Sequence, residues 1–131
     1  MANTITKTTL VDGPRNLVRL INILGDASGE ETNNVLIDRS DFAPTDGTEL
    51  VVTKIEGLLT GFSAALSFEA TADLVFCRLP DGDWFCHDWT AIGGISSNKA
   101  GAGANGDILL STTGLAAGAD VATFILHMRK Q

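Results

Sequence analysis

Hydrophobic and polar positions in this chain alternate over short runs that break at Gly, Pro, Asp and Asn, the pattern of β-strands joined by turns. Thr4 to Val11 mixes Thr and Lys with Ile, Thr and Leu and reads as a first strand, ended by Asp12-Gly13-Pro14. Asn16 to Leu24 is a strongly apolar second strand, followed by the polar loop Gly25 to Asn34. Val35-Leu36-Ile37 is a short third strand. Ser40-Asp41-Phe42 starts a single helical turn, closed by Pro44 and Asp46-Gly47. Leu50 to Leu59 is the fourth strand, expected to place Val51, Thr53 and Ile55 on one face and Lys54 and Glu56 on the other, with a bulge or bend at Gly57 or Gly61. From Ser63 to Glu69, Ala64, Leu66 and Phe68 point one way and Ser63, Ala65, Ser67 and Glu69 the other. Leu74 to Leu79 and Asp83 to Trp89 read as two strands of a hairpin. A long connection, Gly93 to Asn105, precedes strands at Asp107 to Thr112 and Val121 to Lys130. In the last of these Ala122, Phe124, Leu126 and Met128 face in, and Thr123, Ile125, His127 and Arg129 face out. No segment has a helical period. About eight short antiparallel strands predict an all-β sandwich, which as a double sheet would be a jelly roll.

Composition bounds this reading without changing it. A chain of 131 residues fits a single domain, with residues 1–9 as a candidate extended N-terminal arm. It can bury roughly two-thirds of its unfolded surface, enough for a core without staples. The hydrophobic fraction of 44% is too high for disorder. The net charge of −7, with nine scattered basic residues, sets the chain against phosphate, so nucleic acid and anionic membrane are poor partners. Met1-Ala2-Asn3-Thr4 lacks the basic start and apolar core of a leader, which leads us to expect a protein made and used from a cytosol.

The two cysteines flank Pro80-Asp81-Gly82. A two-residue type I′ loop at Asp81-Gly82 would set Cys77 opposite Cys86, close enough for a disulfide. A type I turn at Pro80-Asp81, with Gly82 left-handed, would set Cys77 opposite Phe85 and turn the thiols to opposite faces. Pro at the second turn position favours the bulged turn. A cytosolic origin also favours free, partly buried thiols.

The segments that invite chemistry have simpler readings. Gly101-Ala102-Gly103-Ala104-Asn105-Gly106 matches G-x-G-x-x-G, but a strand rather than a helix follows, so no helix N-terminus can meet a pyrophosphate. We expect a flexible, close-packing or interface loop and no cofactor. Cys86 and His87, as strand neighbours, point to opposite faces and make poor joint metal ligands or nucleophile and base. His87 then reads as a surface hairpin residue, and no metal is expected. Asp26-Ala27-Ser28-Gly29-Glu30-Glu31 lacks calcium-loop spacing and reads as a solvated acidic turn. Trp84 and Trp89 fall on opposite faces of a regular strand, one toward the core and one exposed. No catalytic residues are assigned, and the chain is not expected to be an enzyme.

The order of these segments carries a resemblance. Thr8-Thr9-Leu10-Val11-Asp12-Gly13-Pro14-Arg15-Asn16 opens the chain. Gly25-Asp26-Ala27-Ser28-Gly29-Glu30-Glu31-Thr32 and Val35-Leu36-Ile37-Asp38 follow, then Gly93-Gly94-Ile95. Ala100-Gly101-Ala102-Gly103, Gly106-Asp107-Ile108-Leu109-Leu110-Ser111-Thr112-Thr113-Gly114 and Phe124-Ile125-Leu126-His127-Met128-Arg129-Lys130 close it. This series resembles a family of short tailed-phage proteins of marine and cyanobacterial phages, similar to capsid decoration (cement) proteins of jelly-roll type. The resemblance spans nearly the whole chain and rests on turns and strand edges, not on catalytic residues. It implies a virion protein on the capsid surface, with the major capsid protein as partner and a homotrimer as its assembly. Exposure and flexibility make Thr6, Lys7, Thr8 and Thr9, the Arg15 corner, and Ser97, Asn98, Lys99 and Asn105 the candidate capsid or subunit contacts. The second expectation is a carbohydrate-binding module on head or tail, using an exposed Trp.

Overall fold

The computed structural model describes residues 3–26, 29–42, 49–82, 84–115 and 120–130. The alternating runs become β1 (Thr4–Asp12), β2 (Asn16–Leu24), β3 (Asn34–Ile37), β4 (Leu50–Thr60), β5 (Ser63–Phe68), β6 (Leu74–Leu79), β7 (Trp84–Asp88), β8 (Ile95–Ser96), β9 (Ile108–Thr113) and β10 (Val121–Lys130). They form two antiparallel sheets. The first, in the order β1-β2-β10-β4-β7, has β8 beside the start of β4; the second runs β3-β9-β5-β6.

The sheets pack face to face through their apolar sides, as the period-2 alternation requires. Leu17, Ile21, Ile55, Leu59, Phe124 and Leu126 of the first sheet meet Leu66, Phe68, Leu79, Ile108 and Leu110 of the second, all fully or almost fully buried. The inward assignments for β5 and β10 hold: Ala64, Leu66, Phe68, Ala122, Phe124, Leu126 and Met128 are all buried, although Ser67, expected outward, is buried as well. A single 3-10 turn covers Arg39–Asp41, one residue earlier than expected. Pro44 and Asp46-Gly47, expected to close it, lie outside the described residues.

Three expectations are corrected. In β4 the bulge sits at Thr53, where the pairing with β10 slips between His127 opposite Lys54 and Met128 opposite Val52, while the bend expected at a glycine falls at Gly61 (φ 93°), just past the strand. Inward positions therefore change from Leu50 and Val52 to Ile55, Gly57 and Leu59, and Val51 does not share a face with Ile55. Gly57 instead permits close approach, since a Cβ there would lie 2.3 Å from the Thr123 carbonyl oxygen and 2.5 Å from Phe124 Cα.

The second correction concerns the hairpin. β6 pairs with β5 in one sheet and β7 with β4 in the other, so the chain crosses between sheets at Pro80-Asp81-Gly82. Gly82 does adopt the left-handed conformation expected of it (φ 96°). Its N–H is used elsewhere, donating to the Leu59 carbonyl at 2.8 Å, while Asp81 Oδ1 accepts from Gly61 N–H at 2.9 Å. The left-handed Gly82 is as expected, but the corner docks onto the end of β4 and does not close a ladder.

Third, residues 4–9 are not a free arm: they belong to β1, paired with β2 from Thr4 opposite Leu24 to Asp12 opposite Leu17. Lys7 Nζ donates to the Val35 carbonyl at 2.5 Å, and Arg19 donates to the Leu36 carbonyl at 3.1 Å while its guanidinium lies 5.2 Å from the Phe42 ring centre. Two cations from the first sheet thus cover carbonyls of β3, the edge strand of the second, which blunts that edge against further pairing.

Candidate interaction face

The outer side of the first sheet is built by the residues that the core rejects. Across the strands, Leu24 pairs with Val121, which faces Thr60; Asn22 pairs with Thr123, which faces Leu58, which in turn faces Trp84. The next row is Thr8, Leu20, Ile125, Glu56 and Cys86, and the next Val11, Val18, His127, Lys54 and Asp88. Trp84 is 66% exposed, Leu24 51%, Val121 43% and Leu58 39%. This is an apolar band exposed on a sheet face among the described residues.

The charges on this face are few and balanced. Glu56 lies between His127 Nε2 at 3.2 Å and Lys54 Nζ at 3.6 Å. Asp88 accepts from Thr90 N–H at 2.9 Å and Thr90 Oγ1 at 2.6 Å, and those bonds hold its carboxyl below the usual range, helped by Lys54 and His127. Among the described residues the face carries two cations, Lys54 and Arg129, and two carboxylates, Glu56 and Asp88. These cancel, so the chain's −7 is carried by residues elsewhere.

The two tryptophans divide as expected. Trp84 faces solvent, while half-buried Trp89 packs on the core, edge-on to Phe76 at 6.5 Å and stacked on His87 at 5.8 Å. His87, expected at the surface of a hairpin, does not point to solvent. It faces inward between Phe85 and Trp89 with a buried Nε2, because β7 pairs with β4 and turns its odd-numbered positions to the core. Cys77 is buried, Cys86 is exposed, and both are free. Among the described residues no three His, Cys, Asp or Glu side chains gather as metal ligands.

The candidate contact residues fall in three places. Thr6, Lys7, Thr8 and Thr9 lie along edge strand β1, all exposed. Arg15 sits at the β1–β2 turn, where its carbonyl accepts from Lys130 N–H at 2.6 Å. Lys130 pairs with Leu50, whose N–H donates to Ser97 Oγ at 3.0 Å, so Arg15 and the 97–99 turn share one end of the sandwich. Asn98 and Lys99 are exposed there. Ser97 is not available for contact: it is 0% exposed, its hydroxyl spent on the start of β4. Asn105 is exposed but is used internally, accepting from Asp107 N–H at 3.0 Å and donating to Glu69 at 2.9 Å.

The glycine loop close-packs. Thr71 N–H donates to the Ala102 carbonyl at 3.0 Å, and a Cβ on Gly103 would lie 2.5 Å from Thr71 Oγ1. β9 follows it, so no helix N-terminus is present to bind phosphate. The acidic loop is more than a solvated turn. Glu30 accepts from Gly114 N–H at 2.6 Å, Thr112 Oγ1 at 2.8 Å and Leu115 N–H at 2.9 Å, fastening the β2–β3 connection to the end of β9.

Sequence reasoning missed Leu58, Leu24, Val121 and Val11 as surface residues. The signal was present as adjacent apolar residues, Leu58-Leu59 and Ile23-Leu24, of which a strand can bury only one on a single core face. Compared with known proteins, the chain matches no family model and no curated protein.

Proposed function

We propose that the chain is a virion structural protein: a capsid decoration protein of jelly-roll type that binds the outer surface of an assembled phage head and stabilises it. The observation that carries this reading is the exposed, apolar and charge-balanced outer face of the first sheet, with Leu58 and Trp84 side by side. Patches of this kind on an otherwise acidic domain belong to proteins that assemble with other proteins. The strand order supports the jelly-roll assignment. β2, β10, β4 and β7 face β3, β9, β5 and β6, the arrangement expected when a chain winds back and forth between two sheets. The series of turn and strand-edge segments that resembles tailed-phage decoration proteins supplies the partner, the major capsid protein.

A decoration protein binds the assembled shell in preference to free subunits, so it raises shell stability by mass action, and many weak copies act together. Exposed Arg15, Asn98 and Lys99, at one end of the sandwich, are the residues we assign to the shell. The test is a thermal scan of capsids stripped of their small surface protein, with and without added chain. A rise in capsid melting temperature that saturates with added protein is expected; no shift at saturating protein would reject the assignment.

One observation favours a second reading. Trp84, 66% exposed, stands on a sheet face opposite Leu58, with Thr60 and Glu56 flanking Leu58 along β4, which suits stacking on a sugar. A glycan array whose signals vanish in Trp84→Ala would favour a carbohydrate-binding virion module.

A further inference from the structure

We infer that Asn105 and Gly106 form a self-modification site: in the folded protein the Gly106 main-chain nitrogen attacks the Asn105 side-chain amide, and Asn105 becomes aspartate or isoaspartate. This inference stands apart from the decoration role and holds whether or not the chain binds a capsid.

The sequence supplies the reactants. The main-chain nitrogen that follows an asparagine can close a succinimide ring on its side-chain carbon, and a side chain on the following residue crowds that approach. Asn105 is the only asparagine of the chain followed by glycine.

The fold places what the reaction needs. Asn105 is exposed, so water reaches its amide, and Gly106 is buried with φ 86°, a conformation that glycine adopts without strain. Among the described residues Gly106 N–H makes no hydrogen bond, so no acceptor is lost when that nitrogen attacks. Asn105 Oδ1 accepts from Asp107 N–H at 3.0 Å, and Nδ2 donates to Glu69 Oε2 at 2.9 Å, so both ends of the amide are held. Negative charge develops on Oδ1 as the nitrogen adds, and a main-chain donor already sits there, as in an oxyanion hole. That donor is itself anchored: the Asp107 carbonyl accepts from Glu69 N–H at 3.0 Å, and Asp107 Oδ1 accepts from Arg39 N–H at 2.9 Å.

The step balances with water alone. A bond forms from Gly106 N to Asn105 Cγ, the bond from Cγ to Nδ2 breaks, and the Gly106 amide proton passes through water to the nitrogen that leaves as ammonia. Water then opens the succinimide at either carbonyl. The new carboxylate faces Glu69, where Nδ2 had donated, and the two repel. Isoaspartate also lengthens the main chain between β9 and Gly103, which packs on Thr71. Modification therefore loosens this loop and adds one negative charge to the chain's −7.

The experiment incubates the full folded chain at neutral pH and physiological temperature, beside Asn105→Gln and beside wild type unfolded in urea, where nothing positions the amide. Ion exchange separates the more acidic product, and peptide mass mapping locates it. We expect conversion at residue 105 about tenfold faster in the folded chain than in urea, a fraction of what one placed oxyanion donor is worth. Asn105→Gln, whose longer side chain closes the ring poorly, should give no acidic product. Absence of the product from wild type, its mapping to another asparagine, or a folded rate no higher than the rate in urea would overturn the inference. The isolated product should melt below the starting chain, and an equal melting temperature would overturn the loosening.

Discussion

Cys77 and Cys86 lie on different sheets and different sides of the protein: Cys77 points into the core opposite Leu66, and Cys86 stands on the solvent face opposite Glu56. Burial pushes the Cys77 thiol up to about 11. Both facts deny Cys77 the thiolate that reacts. A maleimide titration at pH 7 should therefore modify one thiol per native chain, located at Cys86 by peptide mapping, and a second only in denaturant. Rapid labelling of both thiols in the native protein, or a disulfide between them, would contradict the sheet crossing.

Gly57 lies where β4 passes under Phe124, and its missing side chain is filled by that neighbour's backbone and Cβ. Gly57→Ala must push two paired strands apart. We expect a loss of about 3 kcal/mol, toward the upper end for overpacking, and a fall in Tm of roughly 10 °C. Gly82→Ala is the comparison: no atom lies within 4 Å of its Cβ position, and only the positive φ of 96° is strained. It should cost about 1 kcal/mol. Equal losses for the two would mean that close strand approach at Gly57 is not the constraint.

These cases show how far the sequence carries. The alternation in β5 and β10 identified their buried faces because a single core face demands period 2, and no bulge interrupts the inward residues of β10. The turn at Pro80-Asp81-Gly82 was legible as a turn, but which strand each arm pairs with is a long-range matter. Local turn chemistry serves a hairpin and a sheet crossing equally, so β6 with β7 was the wrong pairing. The same error placed His87 outside. Thr53 gave no sign of its bulge because the slip is set by pairing with β10. Of the site, alternation implies that one of Trp84 and Trp89 is exposed but does not say which; the apolar neighbours of Trp84 come from four other strands and cannot be gathered without the sheet order.

Asp107 makes stability depend on pH. Burial raises its carboxyl to about 6; Glu69 and Asp38 add to the rise, and the hydrogen bond from Arg39 N–H at 2.9 Å opposes it. An unfolded Asp titrates near 3.9, so between about pH 4 and pH 6 the folded state holds more protons than the unfolded one. Stability attributable to this group is greatest below that window and falls as pH rises through it. Asp107→Asn keeps an oxygen for Arg39 N–H and removes the titration. Urea unfolding at a series of pH values should show a shallower fall between pH 4 and 6 in the variant than in wild type. An unchanged slope would mean that Asp107 is not the titrating group.

Arg15 and Lys99 are exposed cations at one end of the sandwich, on a chain that is otherwise acidic. If this end meets the shell, reversing both to Glu should lower capsid occupancy at least tenfold while leaving the melting temperature of the free protein within a few degrees, since surface charges contribute little to folding. Undiminished occupancy in the double variant would place the shell contact elsewhere on the domain.

The most direct test of the assembly role is co-sedimentation of the purified full chain with assembled capsids from which the small surface protein has been stripped. The account predicts saturable binding at a fixed number of copies per shell, with free capsid subunits binding far less. Protein that stays in the supernatant at every concentration, or that binds shells and free subunits alike, would contradict it.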